Sequence, residues 1–475
     1  MKFKIQNLGI IEKADIELKP LTVFVGENGT GKTWTAYTIA AILGPYGYNH
    51  YIESYIEGRA DYRYDTVEDA IGQCVKKGNA KINLPEFIKK YAGIYINEIA
   101  KSANIWLDSF FATKRVNFEN INIHADLTDN FYEVIINKLK QSQIKGEMSL
   151  GVQKSSYILI SSLKEKGSDD LYFYTKSETQ NIEDIPQPIV DKEIREFVIS
   201  VTFNAVRNAL FSNTPIFPTE RTAFITLPLP PISQNNDGKK IKTKDAEENN
   251  DSALWLSEPV RYFLAMIRSS MMKHFKRKPR ELKEPEITEY INLANLLENE
   301  ILSGNISFDE EYGGKVELVY KPSKETNLEM KVSSSMVKEL APLALYLKYL
   351  AKPGDLMIID EPEMNLHPAA QAEITELIGM LINSGLYVLI TTHSPYIIDH
   401  LGNLIRAKKC DKVEELSEHF YLEQSNAFIS GDDVSVYLFE DNTAINILNE
   451  DGDIDWETFS DVSQDISGIY SKLIG

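Results

Sequence analysis

Two stretches of sequence that lie far apart decide the fold: GENGTGKT at Gly26–Thr33, and LMIIDEP at Leu356–Pro362 followed by TTHS at Thr391–Ser394. The first stretch follows the apolar run Leu21–Val25 and precedes a predicted helix. More than 300 residues separate the two stretches, which is far longer than the spacing in a small GTPase or kinase. The sequence therefore predicts a chain that folds back and joins its two ends, with a large insertion between them.

The first stretch has the pattern G-x-x-x-x-G-K-T, which is typical of a loop that binds phosphate. Glycines permit the tight backbone curve, successive N–H groups face phosphate oxygens, and the following helix N-terminus favours negative charge. We expect Lys32 to hold the β- and γ-phosphates and Thr33 to place its hydroxyl on Mg²⁺. The candidate ATP-binding residues here are Gly26, Asn28, Gly29, Thr30, Gly31, Lys32, Thr33 and Trp34.

The second stretch ends an apolar strand with two carboxylates. Because adjacent residues point in different directions, Asp360 is expected to bind Mg²⁺ and Glu361 to polarise the attacking water. Another predicted strand, Leu386–Ile390, leads to His393, whose imidazole could contact the γ-phosphate or that water. Glu361, His393 and Lys32 are therefore the candidate catalytic residues, and ATP and Mg²⁺ are the expected cofactors.

Composition indicates a globular protein without a membrane segment. Of 475 residues, 43% are hydrophobic and 25% charged, and no apolar run reaches the ~18 residues that a spanning helix needs. The alternating, charged N-terminus predicts a strand and not a signal peptide. Cys74 and Cys410 are too few for a disulfide framework, which fits a reducing compartment. We therefore expect a cytoplasmic protein with no membrane partner.

Charge is distributed unevenly along the chain. The formal net charge is −20, and residues 411–475 carry 16 Asp and Glu against two Lys. This balance argues against nonspecific duplex binding by the whole surface, because phosphate neutralisation needs clustered Lys and Arg. The most basic run, KHFKRKPR at 273–280, is either a solvated helix end or a contact for nucleic acid or a partner.

Periodicity predicts strands and helices in both halves of the chain. Strands are expected at Lys2–Gln6, Ala14–Leu18 and Leu21–Val25, and an antiparallel sheet from Asn120–His124, Ser156–Ser161 and Leu171–Tyr174. Helices are expected from Lys32 to about Leu43, within 50–110, at Ile194–Phe211 and at Met336–Ala351. Between them we expect a mobile loop at Ser233–Ser252, helices Glu258–Phe275 and Glu286–Leu302 that could form an αα arm, and strands at Ile306–Tyr320 and Leu328–Val332. The acidic tail predicts a strand at Val434–Phe439 and a helix at Trp456–Leu473.

Four regions follow from these elements. Residues 1–230 form a first ATPase lobe with the phosphate loop and a β/helical subdomain, and residues 231–305 a mobile loop and helical insertion. Residues 306–410 form a second lobe with the acidic strand and His393, and residues 411–475 an acidic C-terminal extension that could dock on the head or on a basic partner.

The motifs GENGTGKT, SSSMVKEL, IIDEPEMNLHP and TTHS together resemble the ABC-type ATPase heads of the SMC, RecF and overcoming-lysogenization-defect (OLD) group. The match covers about 1–45 and 330–405 and is closest to stand-alone OLD-like ATPases of bacterial anti-phage defence, of the Septu-like or PARIS-like kind. The resemblance implies an α/β fold: an ABC-type P-loop ATPase head with a mixed central sheet, an antiparallel β lobe and a helical insertion. It also implies an ATPase that closes as a head-to-head homodimer around ATP and could assemble further.

The resemblance assigns further residues. Ser334 or Ser335 would reach the γ-phosphate of a second copy, although SSSMVKEL lacks the glycine pair of the transporter form LSGGQ. The loop Asn365-Leu366-His367 resembles a dimer-crossing loop, and it also fits a helix cap before Pro368. The turn ending in Glu220 and Arg221 resembles a P-x-E-R element, which either replaces the missing glutamine loop or forms a structural salt bridge.

The same resemblance frames the expected function. OLD nucleases carry a TOPRIM domain after the ATPase, but only about 80 residues follow Pro395, and Glu440 with Asp453 and Asp455 imitates its acidic set poorly. We therefore expect no nuclease domain here, but an ATPase switch that controls a separately encoded effector nuclease or toxin in anti-phage defence. The alternatives are a RecF-like DNA-repair or chromosome-maintenance ATPase that clamps DNA, and, less favoured, the ATPase subunit of an importer.

Overall fold

A computed structural model describes residues 1–152, 155–175, 186–227, 256–275, 285–310, 316–411, 413–449, 451–455 and 469. The chain forms two compact units. Unit 1 comprises Met1–Asn7, Thr38–Asp108 and Asn117–Thr214, and unit 2 comprises Leu8–Tyr37, Ser109–Val116 and Pro215–Gly475.

The strands are β1 (Lys2–Leu8), β2 (Ile11–Glu17), β3 (Leu21–Val25), β4 (Asn79–Asn83), β5 (Asn122–Asp126), β6 (Ile144–Val152), β7 (Ser155–Lys164), β8 (Asp170–Thr175), β9 (Ile216–Phe217), β10 (Asn305–Glu310), β11 (Val316–Ser323), β12 (Thr326–Glu329), β13 (Leu356–Asp360), β14 (Tyr387–Thr392), β15 (Val434–Glu440) and β16 (Thr443–Asn446). The α-helices are α1 (Lys32–Leu43), α2 (Pro45–Ile56), α3 (Asp65–Lys77), α4 (Leu84–Lys101), α5 (Ala103–Phe110), α6 (Asp129–Gln141), α7 (Gln187–Leu210), α8 (Arg221–Phe224), α9 (Glu258–Phe275), α10 (Pro285–Leu296), α11 (Ser335–Tyr349), α12 (Pro368–Asn383), α13 (Pro395–Lys408) and α14 (Val413–Ser417).

Unit 2 is built on a mixed sheet with strand order β2-β16-β15-β3-β14-β13-β9. Strands β3, β13 and β14 are buried almost throughout, as expected for parallel strands covered on both faces. They are neighbours and run parallel, so their carboxyl ends meet at one edge of the sheet. Residues that follow these three strands are therefore brought together from the two ends of the chain.

The predicted helical insertion lies in the core of unit 2. Phe263 on α9, Tyr290 on α10 and Leu343 on α11 belong to one buried hydrophobic cluster. Helices α9 and α10, which were suggested as an αα arm, both pack on α11. After α10 the helix continues as one π-turn, Leu297–Ile301, in which the buried Glu298 accepts hydrogen bonds from the backbone of Ile306 and from Lys348.

Unit 1 contains the four-stranded antiparallel sheet β4-β8-β7-β6, and β5 pairs separately with β1. An aromatic cluster fills its interior, because Tyr51, Tyr55, Tyr64 and Phe203 are all buried and contact one another. The Arg195 guanidinium makes two hydrogen bonds to Glu68, at 2.7 and 2.8 Å, which tie α7 to α3.

The structure confirms the predicted α/β class, with a mixed central sheet, an antiparallel sheet and many helices. Three details were wrong. The segment Asn120–His124 contributes β5, which pairs with β1 and lies outside the four-stranded sheet, and the predicted strand Leu328–Val332 ends at Glu329 because a 3-10 turn buries Met330. Helix α7 begins at Gln187, with a proline in its first turn, seven residues before the predicted Ile194.

The acidic C-terminal region, which was expected to be an extension that could dock on the head, instead contributes a strand to the central sheet. Strand β15 was predicted, but it lies between β3 and β16 and pairs with β3 in parallel, so it is part of the central sheet. The two compact units accordingly divide the chain differently from the four predicted regions. The predicted loop Ser233–Ser252, most of the basic run 273–280 and nearly all of the helix Trp456–Leu473 lie outside the described residues. In the described ranges, no helix is both long and apolar enough to cross a bilayer.

Candidate functional site

The predicted phosphate loop connects β3 to α1 at the carboxyl edge of the sheet. Gly26 has a φ of +144°, and a Cβ built there would lie 2.5 Å from the carbonyl oxygen of Phe439 on β15. Only glycine fits this position, because both the backbone angle and the neighbouring strand exclude a side chain. Strand β15, near the C-terminus of the chain, therefore forms one wall of the phosphate loop.

Lys32 lies across the loop. Its Nζ donates to the carbonyl oxygens of Gly26 at 2.8 Å and Glu27 at 2.6 Å, and the side chain is buried. Burial lowers the pKa of Lys32, and the nearby carboxylates of Glu361 and Asp360 oppose that shift. The ammonium is thus held at the loop by backbone oxygens and by acidic neighbours.

Thr33 and Asp360 meet directly, although 327 positions separate them in the chain. The Thr33 hydroxyl donates to Asp360 Oδ1 at 2.9 Å, Thr391 donates to the same oxygen, and Tyr37 donates to Oδ2 at 3.1 Å. Asp360 is 1% exposed, so three hydroxyl donors fix the orientation of a buried carboxylate. Tyr37 was missed from sequence, although its position four residues after Thr33 places it on the same face of α1.

These two groups fit a magnesium ion. Mg²⁺ in phosphate sites takes oxygen ligands from one or two protein side chains together with phosphates and water, and a hydroxyl beside a carboxylate supplies that donor set. Within the described part of the chain, no group of three His, Cys, Asp or Glu side chains forms a cage for a metal. Thr33 and Asp360 are the residues that would hold the ion.

Glu361 has an unusual backbone. Its φ is +49°, a left-handed conformation that non-glycine residues rarely adopt and that is often found at functional sites. The Glu361 N–H donates to the carbonyl oxygen of Thr391 at 3.0 Å. Burial raises the pKa of Glu361; the charge of His393 opposes this shift, and that of Asp360 adds to it.

His393 follows β14, as predicted, and faces two carboxylates. Its Nδ1 lies 3.7 Å from Glu361 Oε1 and 3.4 Å from Glu363 Oε1. Glu363 was missed from sequence: its Oε1 accepts from Thr392 Oγ1 at 2.7 Å and from the backbone N–H of His393 at 2.8 Å. Glu363 therefore fixes the turn that carries His393. The sequence feature that could have indicated Glu363 is its place as the third acidic residue of Asp-Glu-Pro-Glu.

The three serines ahead of α11 differ in environment. Ser333 is buried and donates to the carbonyl of Glu329 at 3.0 Å, whereas Ser334 caps the helix by accepting from the N–H of Val337 at 3.3 Å. Ser335 is exposed at the first position of the helix. Of the two predicted residues, Ser335 is the one whose hydroxyl does not cap α11.

The other residues predicted in the phosphate loop and in the loop before α12 differ in their surroundings. Thr30 donates to the carbonyl of Glu27 at 2.9 Å, while Asn28 and Gly29 are exposed. The Trp34 ring stacks on Phe111, with centroids 5.0 Å apart. In the next loop, His367 Nδ1 accepts from the N–H of Ala369, and α12 follows from Pro368, which matches the helix-cap interpretation of this loop.

The structure separates the two residues proposed as a substitute for a glutamine loop. Glu220 is exposed. Arg221 is 2% exposed and contacts the backbone of Asp360 and Glu361. Arg221 is therefore the member of this pair that belongs to the site.

Comparison with known proteins identifies the family of this chain. Residues 1–398 match the family model AAA_15, described as an AAA ATPase domain. The Old nuclease of Escherichia phage P2 is 28% identical over 138 residues, which cover 25% of this chain and only 23% of that relative.

Two solved structures also align along most of the chain. A Smc head bound to the C-terminal winged-helix domain of ScpA has a TM-score of 0.35 and 12% identity, and the alignment covers 94% of this chain and 96% of that one. A Smc head with an extended coiled coil, bound to the C-terminal domain of ScpA and derived from Pyrococcus furiosus, has a TM-score of 0.36 and 13% identity, with coverage of 94% and 95%. The family model alone spans residues 1–398 of 475, and the chain therefore belongs to the AAA_15 family of AAA ATPase domains and is an ATPase.

Proposed function

We propose that this ATPase is a molecular switch that binds ATP with Mg²⁺, closes as a head-to-head homodimer and reopens on hydrolysis. The observation that carries the proposal is the meeting of Thr33 with Asp360 at 2.9 Å, beside Glu361 and His393. Four residues from opposite ends of the chain thus present a hydroxyl, two carboxylates and an imidazole at one edge of the sheet.

Each residue has a distinct part in the proposed reaction. Lys32 exchanges loop carbonyls for β- and γ-phosphate oxygens, and Glu361 accepts a proton from the attacking water. His393 orients that water or the γ-phosphate. Thr33 and Asp360 would hold Mg²⁺, which would supply positive charge beside the phosphate oxygens.

The composite site needs a second copy of the chain. Ser335 is exposed at the start of α11, where a helix N-terminus favours an anion. We propose that Ser335, with Ser334 as the alternative, donates to the γ-phosphate bound by the partner's loop. Binding energy of that phosphate then closes the dimer.

Complementation between two inactive variants tests this arrangement. Lys32→Ala removes the lysine that holds the β- and γ-phosphates, and Ser335→Ala removes the hydroxyl proposed to reach the γ-phosphate bound by the partner. Each variant alone is therefore expected to hydrolyse little ATP. Mixing them should restore roughly a quarter of the wild-type rate, because half of the dimers are mixed and each carries one intact site. Ser333→Ala is the matched control. If the mixture stays inactive while both variants dimerise with wild-type chains, the serine does not act in trans.

We further propose that the switch controls a separately encoded effector nuclease or toxin in bacterial anti-phage defence. Support comes from the motif resemblance to OLD-like defence ATPases and from the limited similarity to the phage P2 Old nuclease. The test is to express the gene with its neighbours in a phage-sensitive host and compare the wild type with Lys32→Ala. Loss of protection in the variant supports the proposal. Lys32-dependent DNA cleavage by the purified chain alone would contradict a separate effector, and steeply salt-dependent, ATP-dependent DNA affinity would favour the RecF-like alternative.

A further inference from the structure

The strained turn at Glu361 is held from two sides. On one side, its N–H donates to both the carbonyl oxygen and the hydroxyl of Thr391, at 3.0 and 3.1 Å. On the other side, Arg221 donates from Nη1 to the carbonyl oxygen of Asp360 at 2.6 Å and from Nη2 to that of Glu361 at 2.8 Å. A left-handed non-glycine residue persists only where its surroundings fix it, and these contacts do so.

Arg221 also reaches the helix that starts at the signature serines. Its guanidinium forms an ion pair with Glu339, which is on α11, four residues after Ser335. Glu339 is itself buried and lies 3.5 Å from the Asn365 side-chain amide. One buried arginine therefore connects the turn that carries Glu361 with α11. Glu339 in turn contacts Asn365, which lies further along the loop after β13.

The chemistry of these contacts requires arginine. The Arg221 side chain is 2% exposed, and burial lowers its pKa to about 10, a value at which it stays charged at neutral pH. Desolvating a charge is costly, so apolar packing would fill this space more cheaply. Arginine instead offers a rigid fork with several donors, which here reach two successive carbonyls and a carboxylate at once; the compact ammonium of lysine cannot reproduce that geometry.

We infer that Arg221 is a positioning residue that holds Glu361 in the conformation needed for hydrolysis and links it, through Glu339, to the helix headed by Ser334 and Ser335. The inference rests on the proposed role of Glu361 and adds the element that connects it to the signature helix. A shift of α11 when its serines engage a phosphate would pass through Glu339 and Arg221 to the carbonyl of Glu361. Closure of the dimer would then adjust the position of the water-activating base.

The test compares Arg221→Lys with Arg406→Lys, a surface control whose arginine pairs with the exposed Asp453. For each variant we would measure the dissociation constant for a fluorescent ATP analogue and the turnover number for ATP. Arg221→Lys should slow turnover by about 10- to 100-fold, because small misplacements of a catalytic group have effects of this size, while affinity stays within about twofold. Arg406→Lys should match the wild type. A wild-type turnover number for folded Arg221→Lys would overturn the inference.

A double variant separates positioning from a purely structural role. If Arg221 acts through Glu361, adding Arg221→Lys to Glu361→Gln should slow turnover no further than Glu361→Gln alone. If the double variant instead shows the product of the two single losses in turnover, the two residues act independently and the inference is overturned. If Glu361→Gln itself turns over at the wild-type rate, the base assigned in the proposed function is wrong, and Arg221 has no base to position.

Glu339→Gln provides the second variant, and it decides the matter if Arg221→Lys fails to fold. The amide keeps the shape of Glu339 but removes the charge that faces Arg221. We expect slow turnover with ATP affinity retained. A folded Glu339→Gln protein with wild-type turnover would refute the link to α11.

Discussion

Replacing Gly26 with alanine should destabilise the protein by pushing the phosphate loop against the C-terminal strand. The new Cβ would lie 2.5 Å from the carbonyl oxygen of Phe439, and the residue would keep a φ of +144°. The backbone carbonyl belongs to paired β15 and cannot rotate away, so overpacking and backbone strain together should cost about 2–4 kcal/mol. Unit 2 has about 300 residues, so with an unfolding entropy of about 2.1 cal/mol/K per residue this is a fall in the melting temperature of roughly 3–6 °C.

Gly29→Ala is the matched control for this prediction. Gly29 has a φ of +79°, but a Cβ there meets nothing within 4 Å. It should cost only about 1 kcal/mol of backbone strain, or roughly 2 °C. Differential scanning fluorimetry gives the two shifts, and hydrogen exchange of the β15 amides locates the damage. Equal shifts for the two variants, with unchanged exchange in β15, would refute the claim that the C-terminal strand forms a wall of the loop.

Three further changes test other parts of the site and its support. Burial lowers the pKa of folded His274 below its ordinary value of 6.5, so the unfolded chain binds more protons at acidic pH. The stability of the protein should therefore fall as the pH drops through 6.5. His274→Gln should flatten this dependence in melting curves recorded between about pH 5 and 7.5. Glu363→Ala frees the turn that carries His393 and should slow ATP turnover by about tenfold or more with ATP affinity retained, so an unchanged turnover number would contradict its role. Tyr37→Phe removes one of three donors to Asp360 and should lower stability by about 1 kcal/mol in urea unfolding, whereas a neutral result would mean that this hydroxyl bond contributes nothing.

The sequence was most informative where chemistry requires a fixed pattern. The glycines and Lys32 of the loop, and Asp360 and Glu361 after an apolar strand, were recognisable because phosphate and metal binding demand those residue types in order. Their meeting also followed from the topology, since the carboxyl ends of parallel strands share one edge.

What sequence reasoning missed depends on contacts between distant residues. Arg221 was singled out because its turn resembles a P-x-E-R element, but nothing local indicates that its guanidinium reaches the carbonyls after β13. The position of β15 beside β3 was equally hidden, since an alternating strand in an acidic tail does not specify its partner. Helices α9 and α10 have the periodicity of an arm, and only packing shows that they cover α11.

Glu361→Gln tests the proposed hydrolysis mechanism most directly. The exchange keeps the size of the side chain and removes the base, so ATP turnover should fall by about 10²- to 10⁴-fold. ATP affinity should remain, and ATP should convert the variant into a stable dimer in analytical ultracentrifugation. Glu361→Gln protein that hydrolyses ATP at the wild-type rate would contradict the proposal that Glu361 activates the attacking water.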